Sequence, residues 1–190
     1  MRSARMPDPL PPGLPAPEDD GAARHLVGRT LPSLTLAATD GSPVRLDAID
    51  GRWLLFVYPS TGRPGMPVPQ GWDAIPGARG CSHEACGFRD RLPALRALGI
   101  ERIFALSADP VESQRALVAR FDLPYLLLSD PQLTVGDQLG LPAFEAFGRR
   151  LYKRLTMALR GPLIEHVFYP VFPPDKHAAE VATWLGENRR

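Results

Sequence analysis

The chain has 190 residues, 44% of them hydrophobic, and a formal net charge of +1 from interspersed acidic and basic side chains. That is room for one domain with a closed core, and the near-neutral balance speaks against nucleic acid or an anionic membrane surface as main partner. No run approaches the roughly 20 apolar residues of a membrane span and residues 1–23 lack the apolar middle of a secretory signal, so a cytoplasmic protein is expected.

Residues 1–25 read as a disordered, proline-rich tail. Pro7, Pro9, Pro11, Pro12, Pro15 and Pro17, followed by an acidic cluster, suit neither helix nor central strand. The globular domain is expected over residues 26–190. Leu34-Thr35-Leu36 and Val44-Arg45-Leu46 flank an Asp40-Gly41-Ser42 turn and predict a hairpin. Trp53 to Tyr58 is an apolar run that predicts a strand buried on both faces.

Residues 60–79 break the pattern. Pro64, Pro67, Pro69 and Pro76 share this stretch with several glycines, no periodicity is visible, and it leads directly into Gly80-Cys81. Long structureless connections in compact domains are most often functional covers or mobile insertions. Trp72 within it reads as the anchor of its own loop rather than as a contact for a partner.

Ala85, Phe88, Leu92, Leu95 and Leu98 then fall at helical spacing up to Gly99. Pro93 lies inside this stretch and predicts a kink or a loosened turn. Ile103 to Ser107 reads as a buried strand, followed by Asp109 as helix cap, Pro110 at the first helical position and an amphipathic stretch to Phe121. Tyr125 to Leu128 predicts a strand and Leu133 to Leu139 a short helix. Leu151 to Ala158 with Ile164 to Tyr169 predicts a hairpin, and His177 to Leu185 a closing helix. This order predicts an α/β fold with a central mixed β-sheet flanked by helices.

The only two cysteines, Cys81 and Cys86, stand five apart at the start of the helix that follows the insertion. In a reducing compartment such a pair is seldom a permanent staple, so cycling between dithiol and disulfide is the expected use. Cys81 in the first helical turn faces unpaired amides and the helix dipole, which predicts a more accessible thiolate than that of a free cysteine. A thiolate attacks peroxides to give a sulfenic acid, which a neighbouring thiol converts to a disulfide with loss of water. Residues five apart in a regular helix lie roughly 8.5 Å apart at Cα, whereas a disulfide requires less than about 7 Å. If the two pair, the first turns must unwind.

The strand ending Phe56-Val57-Tyr58-Pro59 and the segment Gly80-Cys81-Ser82-His83-Glu84-Ala85-Cys86-Gly87-Phe88-Arg89-Asp90 resemble the active-site region of peroxiredoxins of the Q type, the bacterioferritin comigratory proteins. The resemblance continues in Leu127-Leu128-Ser129-Asp130-Pro131, Arg154-Leu155-Thr156 and Ile164-Glu165-His166-Val167-Phe168, and so spans roughly residues 29 to 187. It implies a thioredoxin-like fold and reduction of hydrogen peroxide and organic hydroperoxides with electrons from thioredoxin or a similar dithiol, with no metal, flavin or haem. By position it implies Cys81 as peroxidatic nucleophile, Cys86 as resolving thiol, Arg154 as the charge that stabilises thiolate and polarises peroxide, and Pro59 as the pocket's shield. Monomer and homodimer both stay open.

Two departures stand out. The family carries a threonine or serine three residues before the nucleophile, where this chain has Ala78, and it needs only a few residues between the proline and the nucleophile. Thr61, just after Pro59, is the expected replacement for the hydroxyl, with Ser60 beside it. Glu84 near the helix N-terminus is favourable electrostatically in any protein and equally suits an active-site hydrogen bond. A metal site of Cys81, His83 and Cys86 is disfavoured, because their directions on one helix diverge. His25, His166 and His177 show no spacing that converts into chemistry. Two rivals to the peroxidase are a redox-gated binding protein, favoured by Ala78, and a disulfide reductase, disfavoured by the cysteine spacing.

Overall fold

The structure, a computed structural model, describes residues 5–61 and 65–189; residues 62–64 of the insertion, Pro64 among them, and residues 1–4 of the expected tail lie outside it. Strands β1 (Thr35–Ala38), β2 (Pro43–Arg45), β3 (Arg52–Val57), β4 (Arg102–Ser107), β5 (Leu126–Ser129), β8 (Leu155–Arg160) and β9 (Leu163–Phe168) form one seven-stranded sheet in the order β2-β1-β5-β4-β3-β8-β9. Strand β3 sits between β4, to which it is parallel, and β8, to which it is antiparallel. A two-stranded ribbon, β6 (Ala143–Ala146) with β7 (Arg149–Tyr152), stands apart.

Every residue of β3 is buried, as a strand covered on both faces requires. Its side chains alternate between two cores. Trp53, Leu55 and Val57 pack with Val135 and Leu139 of the short helix α3 (Thr134–Leu139). Leu54, Phe56 and Tyr58 pack with helices α1 (Cys81–Ala97), α2 (Val111–Phe121) and α4 (His177–Glu187). The Phe56 ring stacks on Phe88 of α1 with centroids 4.7 Å apart, which fixes the helix against the sheet beside the cysteines.

Four expectations are revised. Helix α1 continues through Pro93 to Ala97 without interruption, because Phe88, Leu92 and Leu95 bury it on both sides of the proline. Asp109 makes no cap bond to α2, whose N-cap is Pro110; its carboxylate is taken by Ser60 and Thr61. The stretch from Leu151 to Ala158 is two strands, β7 and β8, broken at Lys153 and Arg154, and the short β6 partner has too little periodicity to read from sequence. Residues 5–25, expected to be disordered, lie against the domain. Lys153 Nζ and Tyr169 Oη bond the Asp20 carboxylate at 2.7 and 2.8 Å, and the His83 ring bonds the Asp8 carbonyl at 2.8 Å. Prolines already restrict the unfolded chain, so ordering this segment costs less entropy than its composition suggests.

Candidate active site

Register brings the site together. Strand β3 runs out at Val57 into Tyr58-Pro59-Ser60, and its pairing of Val57 with Leu155 sets Arg154, the residue before β8, beside that exit. Strand β4 ends on the other side and leads to Asp109, and α1 starts at Cys81. The carboxyl ends of adjacent parallel strands are the usual ligand position in α/β sheets. Gly80 makes the turn into α1 with φ of 105°, and a Cβ there would stand 2.3 Å from Pro174 Cγ, so conformation and space both demand glycine.

Arg154 is the hub. It is buried, and its Nη2 donates to Cys81 Sγ at 3.1 Å and to the Ala78 carbonyl at 3.2 Å. Its Nε donates to the Gly77 carbonyl at 3.3 Å, and its Nη1 to Glu84 Oε2. The guanidinium is thus locked between one sulfur, one carboxylate and the backbone that enters α1. A planar fork of donors serves these partners at once, which a lysine ammonium would not. The Glu84 side chain is fully buried in an ion pair with Arg154. Its other oxygen, Oε1, has no partner among the described residues.

Cys81 Sγ also receives a backbone N–H from Ser60, and its own thiol points to the Ala78 carbonyl at 3.6 Å. Burial pushes the Cys81 thiol up, above its ordinary value, against the pull of the Arg154 charge and hydrogen bond and of the Ser60 N–H. Helix-terminus electrostatics alone predict the opposite direction, and desolvation of the buried thiolate outweighs them. Burial likewise raises Glu84, opposed by the charges of Arg154 and His177. For Arg154, burial works against its charge, and the neighbouring Cys81 and Glu84 more than restore it.

Cys86 is buried in the same core, and both thiols are free. Pro59 is buried next to the β3 exit. Ser60 Oγ donates to Asp109 Oδ1 at 2.6 Å, and Thr61 bonds Asp109 Oδ2 through its backbone N–H at 2.9 Å and its hydroxyl at 3.3 Å. Asp109 therefore holds the strand exit in place, a role hidden because Asp-Pro before an amphipathic run reads as a helix start. With its proton given to Asp109, the Thr61 hydroxyl keeps two lone pairs as an acceptor. Thr61 and Cys81 line the same cavity, whereas Ala78, buried, offers only its carbonyl. His177, silent in the sequence, bonds Thr156 Oγ1 at 2.8 Å and Glu180 Oε2 at 2.9 Å behind the Glu84 pair.

The cavity over Cys81 has a volume of about 460 Å³ and runs between the insertion, the tail at Pro7 and Asp8, and one face of α2. A second cavity of about 470 Å³ lies away from both thiols, among residues such as Arg45, Arg96 and Phe104. Trp72 is buried and faces Phe147 with ring centroids 6.2 Å apart, so it anchors the insertion to the β6–β7 turn.

Comparison with known proteins gives one consistent picture. The family model described as Redoxin matches residues 26–183. A putative peroxiredoxin bcp of Coxiella burnetii is 31% identical over 160 residues, covering 82% of this chain and 95% of the relative. The chloroplastic peroxiredoxin Q of Sedum lineare is 28% identical over 175 residues, covering 92% and 85%. Among solved structures, the peroxidoxin BcpB of Mycobacterium tuberculosis superposes with a TM-score of 0.69 at 28% identity, covering 86% of this chain and 98% of that one.

Proposed function

From the premise that this chain belongs to the Redoxin family, as a peroxiredoxin of the Q type and so a thiol-dependent peroxidase with a thioredoxin-like fold, we propose that Cys81 carries the attack and Cys86 resolves it. The observation that carries this assignment is the Arg154 Nη2 to Cys81 Sγ hydrogen bond of 3.1 Å at the floor of an open cavity. The Cys81 thiolate attacks one peroxide oxygen, the O–O bond breaks, and the departing alkoxide or hydroxide takes a proton. Arg154 stabilises the thiolate before the step and the charge that moves onto oxygen during it. Pro59 shields the sulfur, Thr61 accepts a hydrogen bond from the bound peroxide, and Glu84 positions Arg154.

The Cys86 thiol then condenses with the sulfenic acid, releasing water and forming the Cys81–Cys86 disulfide. Both sulfurs are on α1, so its first turns must open; the bonds lost include Glu84 N–H to the Gly80 carbonyl at 3.0 Å and His83 to the Asp8 carbonyl. A thioredoxin-like dithiol reduces the disulfide by exchange. Two free thiols suit a reducing compartment, which supports the cytoplasm; among the described residues no helix is long and apolar enough to cross a membrane. The redox-gated binding alternative loses its motive, because Ser60 and Thr61 bring to the cavity the hydroxyls that Ala78 lacks.

Stopped-flow oxidation by hydrogen peroxide, with products read by intact mass, tests the assignment. Wild type should end as a disulfide, Cys86→Ser as a sulfenic acid trapped on Cys81, and Cys81→Ser should not react. Oxidation that survives in Cys81→Ser would overturn it. Thr61→Val should slow the first step about threefold to tenfold, the worth of one hydrogen bond.

A further inference from the structure

Arg154 serves the sulfur of Cys81 and leaves that of Cys86 unattended. The resolving sulfur must nonetheless become a thiolate before it can attack. Cys86 is buried, and burial pushes its thiol above its ordinary value, as it does for Cys81. A second buried arginine, which the attack on peroxide does not use, lies on the same helix. Arg89 follows Cys86 by three residues, so the two share a face of α1.

Arg89 is held from three sides. Its Nη1 donates to the Phe121 carbonyl at 2.7 Å and to the Arg5 carbonyl at 3.0 Å, and its Nε donates to Asp90 Oδ1 at 2.7 Å. Phe121 ends α2, where unpaired carbonyls and the helix dipole favour a cation. Nη2 has only a soft partner, Met6 Sδ at 3.3 Å, since a thioether is a weak acceptor. The Arg89 side chain is 7% exposed and that of Asp90 48%, so water screens the carboxylate more than the guanidinium. A net positive field is therefore left beside the core that holds Cys86.

Among the described residues, the titratable groups that act on Cys86 are Arg89, which lowers its pKa, Asp90, which raises it, and Tyr125 just before β5. Burial keeps Tyr125 protonated and its hydroxyl donates to the Ala85 carbonyl at 2.5 Å, so it brings no charge. Helix α2 meets this region at the Phe121 carbonyl and α4 at Ala178 beside Gly87, neither of them titratable.

We infer that Arg89 is the positioning residue of the resolving step, its charge fixed by the end of α2 so as to stabilise the Cys86 thiolate that attacks the Cys81 sulfenic acid. The inference rests on the peroxidase reading above and on its assignment of Cys86. In the step, the Cys86 thiol gives up its proton and its sulfur attacks the sulfenic sulfur. The S–O bond breaks, and the departing hydroxide takes a proton and leaves as water. Each thiol thus has its own buried arginine, one for attack and one for resolution.

The first measurement is the pH midpoint of Cys86 alkylation by iodoacetamide, followed by intact mass in a Cys81→Ser background. This midpoint does not depend on how often the turns of α1 open. Arg89→Gln should move it about one pH unit to the alkaline side, Arg89→Lys should keep it near that of the parent, and Asp90→Asn, at a half-exposed position, should move it to the acid side. The second measurement is the lifetime of the sulfenic acid in the two-cysteine protein after one equivalent of hydrogen peroxide, at about pH 7. Arg89→Gln and Arg89→Lys both lose the fork that ties Arg5 and Phe121, so their ratio isolates the charge. The lifetime should be about threefold longer in Arg89→Gln, because a tenfold smaller thiolate fraction is partly offset by the greater nucleophilicity of a more basic sulfur. Asp90→Asn should shorten it. Equal midpoints in Arg89→Gln and Arg89→Lys, or a midpoint unmoved by either Arg89→Gln or Asp90→Asn, would overturn the inference and leave the peroxidase reading standing. A wild type that forms no disulfide with hydrogen peroxide would overturn both.

Discussion

The floor of the active site and its cover are built on opposite principles. In the floor, Cys81, Glu84 and Arg154 are buried and are fixed by β3, β8 and the start of α1, three elements distant in sequence that the sheet brings together. In the cover, residues 65–71 are exposed throughout, and the insertion is held at its ends, by Asp109 at Ser60 and Thr61 and by Arg154 at the Gly77 and Ala78 carbonyls, with Trp72 packed on Phe147 between them. A preorganised floor suits chemistry, where a donor displaced by an ångström loses its value. A lightly held cover suits selection among substrates, because its side chains can change without disturbing the floor. Substitutions in the floor should therefore cost rate and stability together, and substitutions in the cover should alter preference alone.

The largest effect is expected at Arg154. Arg154→Gln removes the charge beside the sulfur and should lower the rate of sulfenic acid formation by about 10²–10³, the range for losing a preorganised charge stabiliser. Arg154→Lys should recover little, because an ammonium does not reach Cys81, Glu84 and the Gly77 and Ala78 carbonyls together. Recovery of most of the rate by lysine would mean that charge alone, without the fork geometry, is sufficient.

Next in size is the pH response. The thiolate is the nucleophile, and burial raises the Cys81 pKa above its ordinary value. A raised pKa leaves a small thiolate fraction at neutral pH, so the rate constant for hydrogen peroxide should climb about tenfold per pH unit, roughly a hundredfold between about pH 6 and about pH 8. Arg154 pulls the pKa down, so its loss should move the rise further to the alkaline side. A rate constant independent of pH across that window would show that the Arg154 and Ser60 bonds outweigh burial. For the cover, Val68→Ser should leave the whole profile in place.

Stability separates the two regions in another way. Glu84→Ala leaves the Arg154 guanidinium buried without its carboxylate, and breaking a buried pair costs about 3–5 kcal/mol. Denaturant unfolding of the reduced protein should register that loss. Met66→Ser in the cover should stay within about 0.5 kcal/mol of wild type, as surface substitutions do. An equal loss in both would mean that the insertion is part of the folding core.

What the sequence disclosed follows the same division. Buried strands, amphipathic helices and the cysteine pair are periodic or chemically distinctive, so β3, β4, α1 and α4 were legible almost to their ends. Cys81, Cys86 and Arg154 stand out through their motif, whereas the position of Glu84 near a helix N-terminus does not disclose its buried pair with Arg154. Asp109 is hidden because a cap signature and a carboxylate hub look identical in one dimension; only the approach of Ser60 and Thr61 from 49 and 48 residues away distinguishes them. The direction of the Cys81 pKa was missed for the same reason, since burial is a property of the assembled fold. The contacts of the tail carry no periodic signal, and proline content alone suggests disorder.

The smallest predicted effect lies where the N-terminal tail and the floor touch. The His83 ring, on the first turn of α1, donates to the Asp8 carbonyl at 2.8 Å, and Arg89 on the same helix donates to the Arg5 carbonyl at 3.0 Å. The tail thus ties down the turns that must open before Cys86 can reach Cys81. His83→Phe removes one of these bonds while keeping a ring of similar size. Attack on peroxide precedes the opening, so its rate should stay within about twofold of wild type. Condensation to the disulfide should accelerate by about twofold to fivefold, because roughly 0.5–1 kcal/mol of helix-side bonding is no longer lost on opening. Rapid-quench intact mass separates the two steps by the lifetime of the sulfenic acid. A lifetime unchanged in His83→Phe would mean that the turn opens without disturbing the tail, and that tail and floor move independently even where they are hydrogen-bonded.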